Sequence, residues 1–218
     1  MAVKSDFKHA LIATSLVIAL LWSIEILDNM YGLGLMRLGV YPREPAGIPG
    51  ILFAPLIHGS WNHLLSNSIA LLVLGTVLVY GYPRAALPML LLVYFIPGIC
   101  VWLFARSNFH IGASGLTHGM MFFIFTIGIF RRDRLSIALS LIVFFLYGGM
   151  IWSIFPQEPD ISYESHFFGA LSGMLAAYLL KDRDPSPPEK RYDWEDAGQE
   201  SDDDSTELPA ANDHHTGS

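Results

Sequence analysis

The chain has 218 residues, of which 52% are hydrophobic and 15% charged, with a mean hydropathy of +0.42. That balance excludes an ordinary soluble domain, and a net charge of −7 offers no basic footprint for a nucleic-acid partner. The acidity is local: from Lys181 onward twelve Asp or Glu stand against four Lys or Arg, which leaves the first 180 residues at about +1.

A membrane helix needs roughly 20 mostly apolar residues. Six runs qualify in chain order: about Ala10–Leu27, Leu64–Tyr80, Ala85–Phe104, Gly115–Phe130, Leu135–Phe155 and Tyr163–Leu180. The first follows Lys4 and Lys8 and carries Glu25, but no small-residue cleavage site comes after it, so it reads as an anchor. The third and fifth read as plain lipid-facing helices, with Pro88 and Pro97 as kinks that neighbouring helices must compensate. The lone Cys100 lies in the third run, which excludes a disulfide framework or a cysteine-based metal site.

Basic residues orient the runs. With residues 1–9 and the C-terminus both in the cytoplasm, ten Lys or Arg fall inside, and only Arg37, Arg43 and Arg106 fall outside. The stretches 28–63, 105–114 and 156–162 are then external. Residues 181–218, rich in Pro, Ser and Asp, are expected to form a disordered acidic cytoplasmic tail. No internal repeat is evident.

The second, fourth and sixth runs have polar residues near their N-termini. "HGSWNHLLSN" at 58–67 carries His58, His63, Ser66 and Asn67, and the four-residue step from His63 to Asn67 puts both on one helix face. His58 is assigned to the interfacial region. "NFHIGASGLTHG" sets Ser114 between small residues at the mouth of the fourth run, and "ESHFFGALSG" sets His166 inside the sixth. All three groups fall toward the external end.

Taken singly, each has a plain structural explanation. A membrane serine commonly bonds back to its own helix, an asparagine can glue two helices, and an intramembrane His can line a polar pathway. However, Gly115 and Gly119 form a GxxxG beside Ser114, and Gly169 and Gly173 form another beside His166. Such pairs let helix backbones approach closely, as a hydroxyl and its base must.

These three segments, in this order and on these runs, resemble the rhomboid family of intramembrane serine proteases. The resemblance covers about residues 10–180 and implies an all-α membrane protein, a six-transmembrane-helix bundle around a hydrated cavity. The external loop at roughly Met30–Ile57 would lie partly in the membrane. By the same resemblance Ser114 matches the nucleophile and His166 its general base, a dyad without an Asp. Glu164, two residues from His166, faces away from it on a helix. His63 and Asn67 match the side-chain oxyanion donors, alongside the Ser114 N–H. Gly112, Gly115, Gly169 and Gly173 support the site by keeping its surroundings small.

Two features depart from the family. Where members often carry a Tyr four residues after the nucleophile, this chain has His118, which can pack on His166, hydrogen-bond it or repel it. The first loop also lacks the Trp-Arg pair that many members show. The expected partners are transmembrane protein substrates and the lipid bilayer, with no cofactor and no metal, in a bacterial inner (cell) membrane. Two other classes compete. A rhomboid-like protein that holds membrane clients without cutting would be expected to lose Ser114 or His166. A His-lined ion or metal transporter would use His58, His63, His118 and His166, but no HExxH or carboxylate-rich pair supports it.

Overall fold

The computed structural model describes residues 6–156 and 161–185. The acidic tail expected beyond Pro185 lies outside these residues. Among the described residues the fold is all-helical, and one isolated bridge, Val40 to His110, is the only β pairing.

Helix α1 (Phe7–Tyr31) starts where the Asp6 carboxylate accepts the Lys8 N–H at 3.2 Å, and stops at Gly32, φ +61, whose N–H bonds the Asp28 carbonyl at 2.8 Å. An acceptor at the N-cap and a left-handed glycine after the last turn satisfy backbone groups the helix cannot. The helix therefore overruns both ends of its expected span. The following loop is built from short helical turns at Leu35–Leu38, Pro45–Gly47 and Ala54–Leu56 and the one-turn α2 (Gly50–Phe53). Helix α3 (Trp61–Gly81) is capped by the Ser60 hydroxyl, which accepts the His63 N–H at 3.2 Å. Then come α4 (Ala86–Phe104, with Pro97 inside), α5 (Ser114–Arg131), α6 (Arg134–Tyr147) and α7 (Tyr163–Leu180).

The fifth expected span is α-helical only to Tyr147 and continues as a 3-10 segment, Gly148–Ile154, from the Gly148-Gly149 pair onward. Glycine costs a helix interior about 1 kcal/mol each, so the pair is a natural breaking point. Four helical stretches are long and apolar enough to cross a membrane: α1, α3, α4, and α6 with its 3-10 extension. Helices α5 and α7, 18 residues each, are not counted among them. Their first turns hold Ser114, Thr117, His118, Glu164, Ser165 and His166, side chains that lower hydropathy. The outward faces are apolar, with Leu16, Leu87, Phe145 and Leu179 all exposed, as contact with lipid hydrocarbon requires.

Helices α5 and α7 pack at backbone distance. A Cβ on Gly169 would overlap the Gly115 carbonyl, and one on Gly173 would overlap the Gly119 carbonyl. The two GxxxG pairs thus interlock, and Val93 of α4 fills the side of Gly119. Gly169→Ala and Gly173→Ala should each destabilise the fold by about 2–3 kcal/mol, because backbone cannot move aside as a flexible side chain can. Thermal melting in detergent checks this, and unchanged melting would remove the close packing.

At the end of α5 distant from Ser114, the chain after α7 is locked in place. The buried Asp184 carboxylate accepts the N–H groups of Arg84 at 2.9 Å and Ala85 at 3.0 Å, capping the start of α4 from another segment. The Arg131 guanidinium donates to the carbonyls of Lys181 at 3.0 Å and Asp184 at 2.6 Å, and to Asp133 at 2.8 Å. Against the effect of its burial, the Asp133 carboxyl is held below its ordinary value by bonds from the Ser136 N–H and hydroxyl, and then by the Arg131 bond and its charge. The packed region therefore runs past Leu180, where composition alone puts the start of the tail. Truncation after Pro185 should leave melting unchanged. Truncation after Lys181 removes the cap and should cost about 2 kcal/mol, read as a lower melting temperature.

Candidate active site

Ser114 is the first residue of α5, where the N–H groups of the opening turn have no intrahelical acceptor and the dipole favours negative charge. Ser68, Ser140 and Ser172 bond back to carbonyls of their own helices, at 2.7, 2.9 and 2.8 Å. Ser114 sits too early in its helix to do so. Its hydroxyl is half-buried and has no hydrogen-bond partner among the described residues.

His166 lies in the first turn of α7 and is buried. Its ring stacks on that of His118, centroids 4.0 Å apart and planes within 9°. Of the arrangements open to His118, packing on His166 is the one the structure adopts. His118 also holds Ser114, its Nδ1 donating to the Ser114 carbonyl at 2.7 Å. His118 thus touches both the serine and the second imidazole. No direct hydrogen bond joins Ser114 to His166 among the described residues. Residues 114–115 and 165–166 are adjacent all the same, since a Cβ on Gly115 would sit 3.1 Å from the Ser165 carbonyl oxygen.

His63 and Asn67 come together as their spacing predicts. Both face Gly112, where a Cβ would overlap the His63 ring and lie 3.6 Å from Asn67 Nδ2. Gly112 also has φ +103, so only glycine fits there on both counts. Asn67 is buried, and its Nδ2 has no acceptor among the described residues, so the side chain does not serve as helix glue through that group. A buried donor without a partner costs about 1–3 kcal/mol and asks for an explanation.

His58 is buried against the site. Its ring meets that of His63 edge-on at 5.1 Å, and its Nε2 lies 3.5 Å from the Ala113 N–H. Burial, with the His63 charge second, pushes His58 down to about 4, so it is neutral near pH 7. Among the described residues no three His, Cys, Asp or Glu side chains converge as a metal site would need.

The surrounding loops are fixed to the same point. Val40 and His110 exchange backbone bonds at 3.0 and 2.9 Å, and the Gly112 N–H reaches the Ala54 carbonyl at 2.9 Å. His110 is tied to Ser162 at 2.6 Å and to the Arg106 carbonyl at 3.0 Å, which joins the loop before α5 to the start of α7. Burial lowers the His110 pKa. The first loop is held by Arg43, which donates to the Ala105 carbonyl at 2.7 Å, and by Trp102 of α4, which donates to the Glu44 carbonyl at 2.9 Å. A Trp and an Arg therefore anchor it, although they are not a pair within the loop. Glu164 is buried beside Arg106, Oε1 to Nε 3.3 Å, and takes no part in the His166 contacts. A small apolar cavity of about 40 Å³ opens between the first loop and α4, bordered by Gly112, Gly115 and Ser165.

Sequence reasoning missed three contributors: His110, the buried position of His58, and Ser153, whose carbonyl meets His166 Nδ1 at 3.0 Å and whose hydroxyl meets His118 Nε2 at 2.7 Å. His110 had a signal, lying four residues before Ser114 in the quoted segment. Ser153 had none beyond being the one hydroxyl in the segment Gly148–Ile154. Chemically, the site offers a hydroxyl without a bond among the described residues at a helix N-terminus, an imidazole one residue contact away, and buried N–H donors on Asn67 and His58.

A model of the Rhomboid domain matches residues 47–183, a range that contains His58, His63, Asn67, Ser114, His118 and His166. Similar proteins come from Mycobacterium tuberculosis and Mycobacterium bovis, each 34% identical over 183 residues, 80% of this chain and 74% of theirs. A protein of Mycobacterium leprae is 33% identical over 192 residues, 84% of this chain and 74% of its own. All three bear the name uncharacterized protein. The extent of the domain match and the level of identity place the chain in the rhomboid family, as a helical, multi-pass integral membrane protein.

Proposed function

We propose that this chain is an intramembrane serine endopeptidase that cleaves transmembrane proteins near their external membrane boundary. The observation that carries the reading is the linked set Ser114–His118–His166, in which an otherwise unbonded serine hydroxyl shares one histidine neighbour with a buried imidazole. His166 Nδ1 faces a carbonyl, which only accepts, so its proton sits there and Nε2 keeps the lone pair. Nε2 takes the Ser114 proton as Oγ attacks the scissile carbonyl carbon. The C=O becomes a tetrahedral oxyanion, held by the Ser114 N–H, His63 and Asn67. Collapse breaks the C–N bond, and the leaving amine takes the proton back from His166. Water then repeats the sequence on the acyl-serine, restoring Ser114 and releasing the acid.

In this reading α1 and α3–α7 are six spans, with both termini cytoplasmic in a bacterial inner membrane. The ten-to-three split of Lys and Arg supports that orientation. The small cavity beside Gly112 and Gly115 suits a small substrate side chain next to the cut. The test is reconstitution of the purified chain in liposomes with a reporter transmembrane segment, the product ends read by mass spectrometry. Cleavage near the external end of the segment is expected, and intact reporter with stably bound enzyme would favour a client-binding protein instead.

A further inference from the structure

We propose that Ser153, in the 3-10 turn ahead of α7, is a positioning residue for His166, acting directly through its carbonyl and indirectly through its hydroxyl on His118. The inference rests on the protease reading above. The carbonyl contact selects the His166 tautomer, as argued. Its second role follows from counting protons around His118.

His118 Nδ1 faces the Ser114 carbonyl at 2.7 Å and must donate to it. A neutral His118 then has only a lone pair on Nε2, 2.7 Å from Ser153 Oγ, and that lone pair takes the hydroxyl proton. The same hydroxyl has another acceptor within reach, the Met150 carbonyl at 2.8 Å. One proton therefore serves two acceptors. With His118 neutral it points to Nε2. When His118 gains a proton, Nε2–H donates to Oγ and the hydroxyl turns to Met150. In both states every polar group is paired, and His118 stays seated on the His166 ring at 4.0 Å.

The consequence for catalysis is geometric. Donation from Ser153 to Nε2 fixes the ring against which His166 is aligned. Other groups near the pair do not duplicate this. His63 of α3 is turned to Gly112. Glu164 on α7 is turned to Arg106 at 3.3 Å, and α4 presents Val93 to this part of α5.

Removing the hydroxyl takes the anchor from the His118 ring, so alignment of His166 suffers and turnover falls. A role in folding alone would not depend on His118.

The experiment uses the full-length purified chain with a reporter transmembrane segment, comparing wild type, Ser153→Ala, Ser153→Thr, His118→Phe and the Ser153→Ala/His118→Phe double variant. Ser153→Ala is expected to lower kcat about tenfold, as modest misalignment does, with KM within about twofold of wild type. Ser153→Thr, which keeps a hydroxyl, should restore kcat. In the His118→Phe background Ser153→Ala should change kcat by less than about twofold, because the hydroxyl then has no histidine to act through. A wild-type kcat in Ser153→Ala overturns the inference, as does an equal loss in both backgrounds. Melting curves put each rate on a per-folded-molecule basis, and a variant that merely loses folded protein overturns it too. A wild type that does not cleave defeats the protease reading itself, and this inference with it.

Discussion

Ser114→Ala and His166→Ala are each expected to abolish cleavage of a model transmembrane substrate, a loss of about 10⁴-fold or more in kcat, in protein that still inserts and folds. The two variants should differ in stability, which makes the pair more informative than either alone. The Ser114 hydroxyl has no hydrogen-bond partner among the described residues, so its removal orphans nothing and melting should be unchanged. His166→Ala uncovers the stacked His118 ring and unpairs the Ser153 carbonyl, which should cost about 1–3 kcal/mol. That loss is too small to explain inactivity in a sample shown to be folded. Normal turnover by purified Ser114→Ala would falsify the mechanism.

Replacing His63 or Asn67 by Ala is expected to lower kcat by on the order of 10²–10³, about 3–4 kcal/mol, with little change in KM. The two side chains lie one helical turn apart and converge on Gly112, two residues before Ser114. Asn67 Nδ2 is buried without an acceptor among the described residues, a costly state that a developing oxyanion relieves. A ground-state carbonyl carries less charge and gains less, which is why the effect belongs in kcat. The opposing account makes Asn67 a structural tie. In that case Asn67→Ala lowers the melting temperature first, and activity only in proportion to lost protein. Steady-state kinetics with melting curves separate the two, and an unchanged kcat per folded molecule in both variants assigns the pair to structure.

What the sequence made legible follows from what is local. Each apolar run marks a helix, because a segment that long with so few charges has few other ways to satisfy its backbone in lipid. The GxxxG pairs were legible as close-approach surfaces, and the structure interlocks them with each other. His63 and Asn67 were placed on one face by helix periodicity alone. What required a third dimension stayed hidden. Ser153 meets His118 across 35 positions and His166 across 13, in a segment whose other residues are apolar. Asp184 looks like any of the twelve acids of the C-terminal region until its carboxylate is found on the N–H groups of Arg84 and Ala85. His58 looked interfacial because a polar residue between helices usually is, whereas packing against His63 buries it. The break at Gly148-Gly149 had a local signal that a hydropathy window averages away.

The central claim is that Ser114 is a nucleophile activated within the bundle, and a fluorophosphonate probe tests it without knowledge of any substrate. The full-length protein, purified in detergent, is incubated with the probe and examined by intact mass and by peptide mapping. The account predicts one adduct, on Ser114, formed by wild type, absent from Ser114→Ala and strongly slowed in His166→Ala. A folded wild-type protein that takes up no label, or one labelled equally in Ser114→Ala, would contradict it.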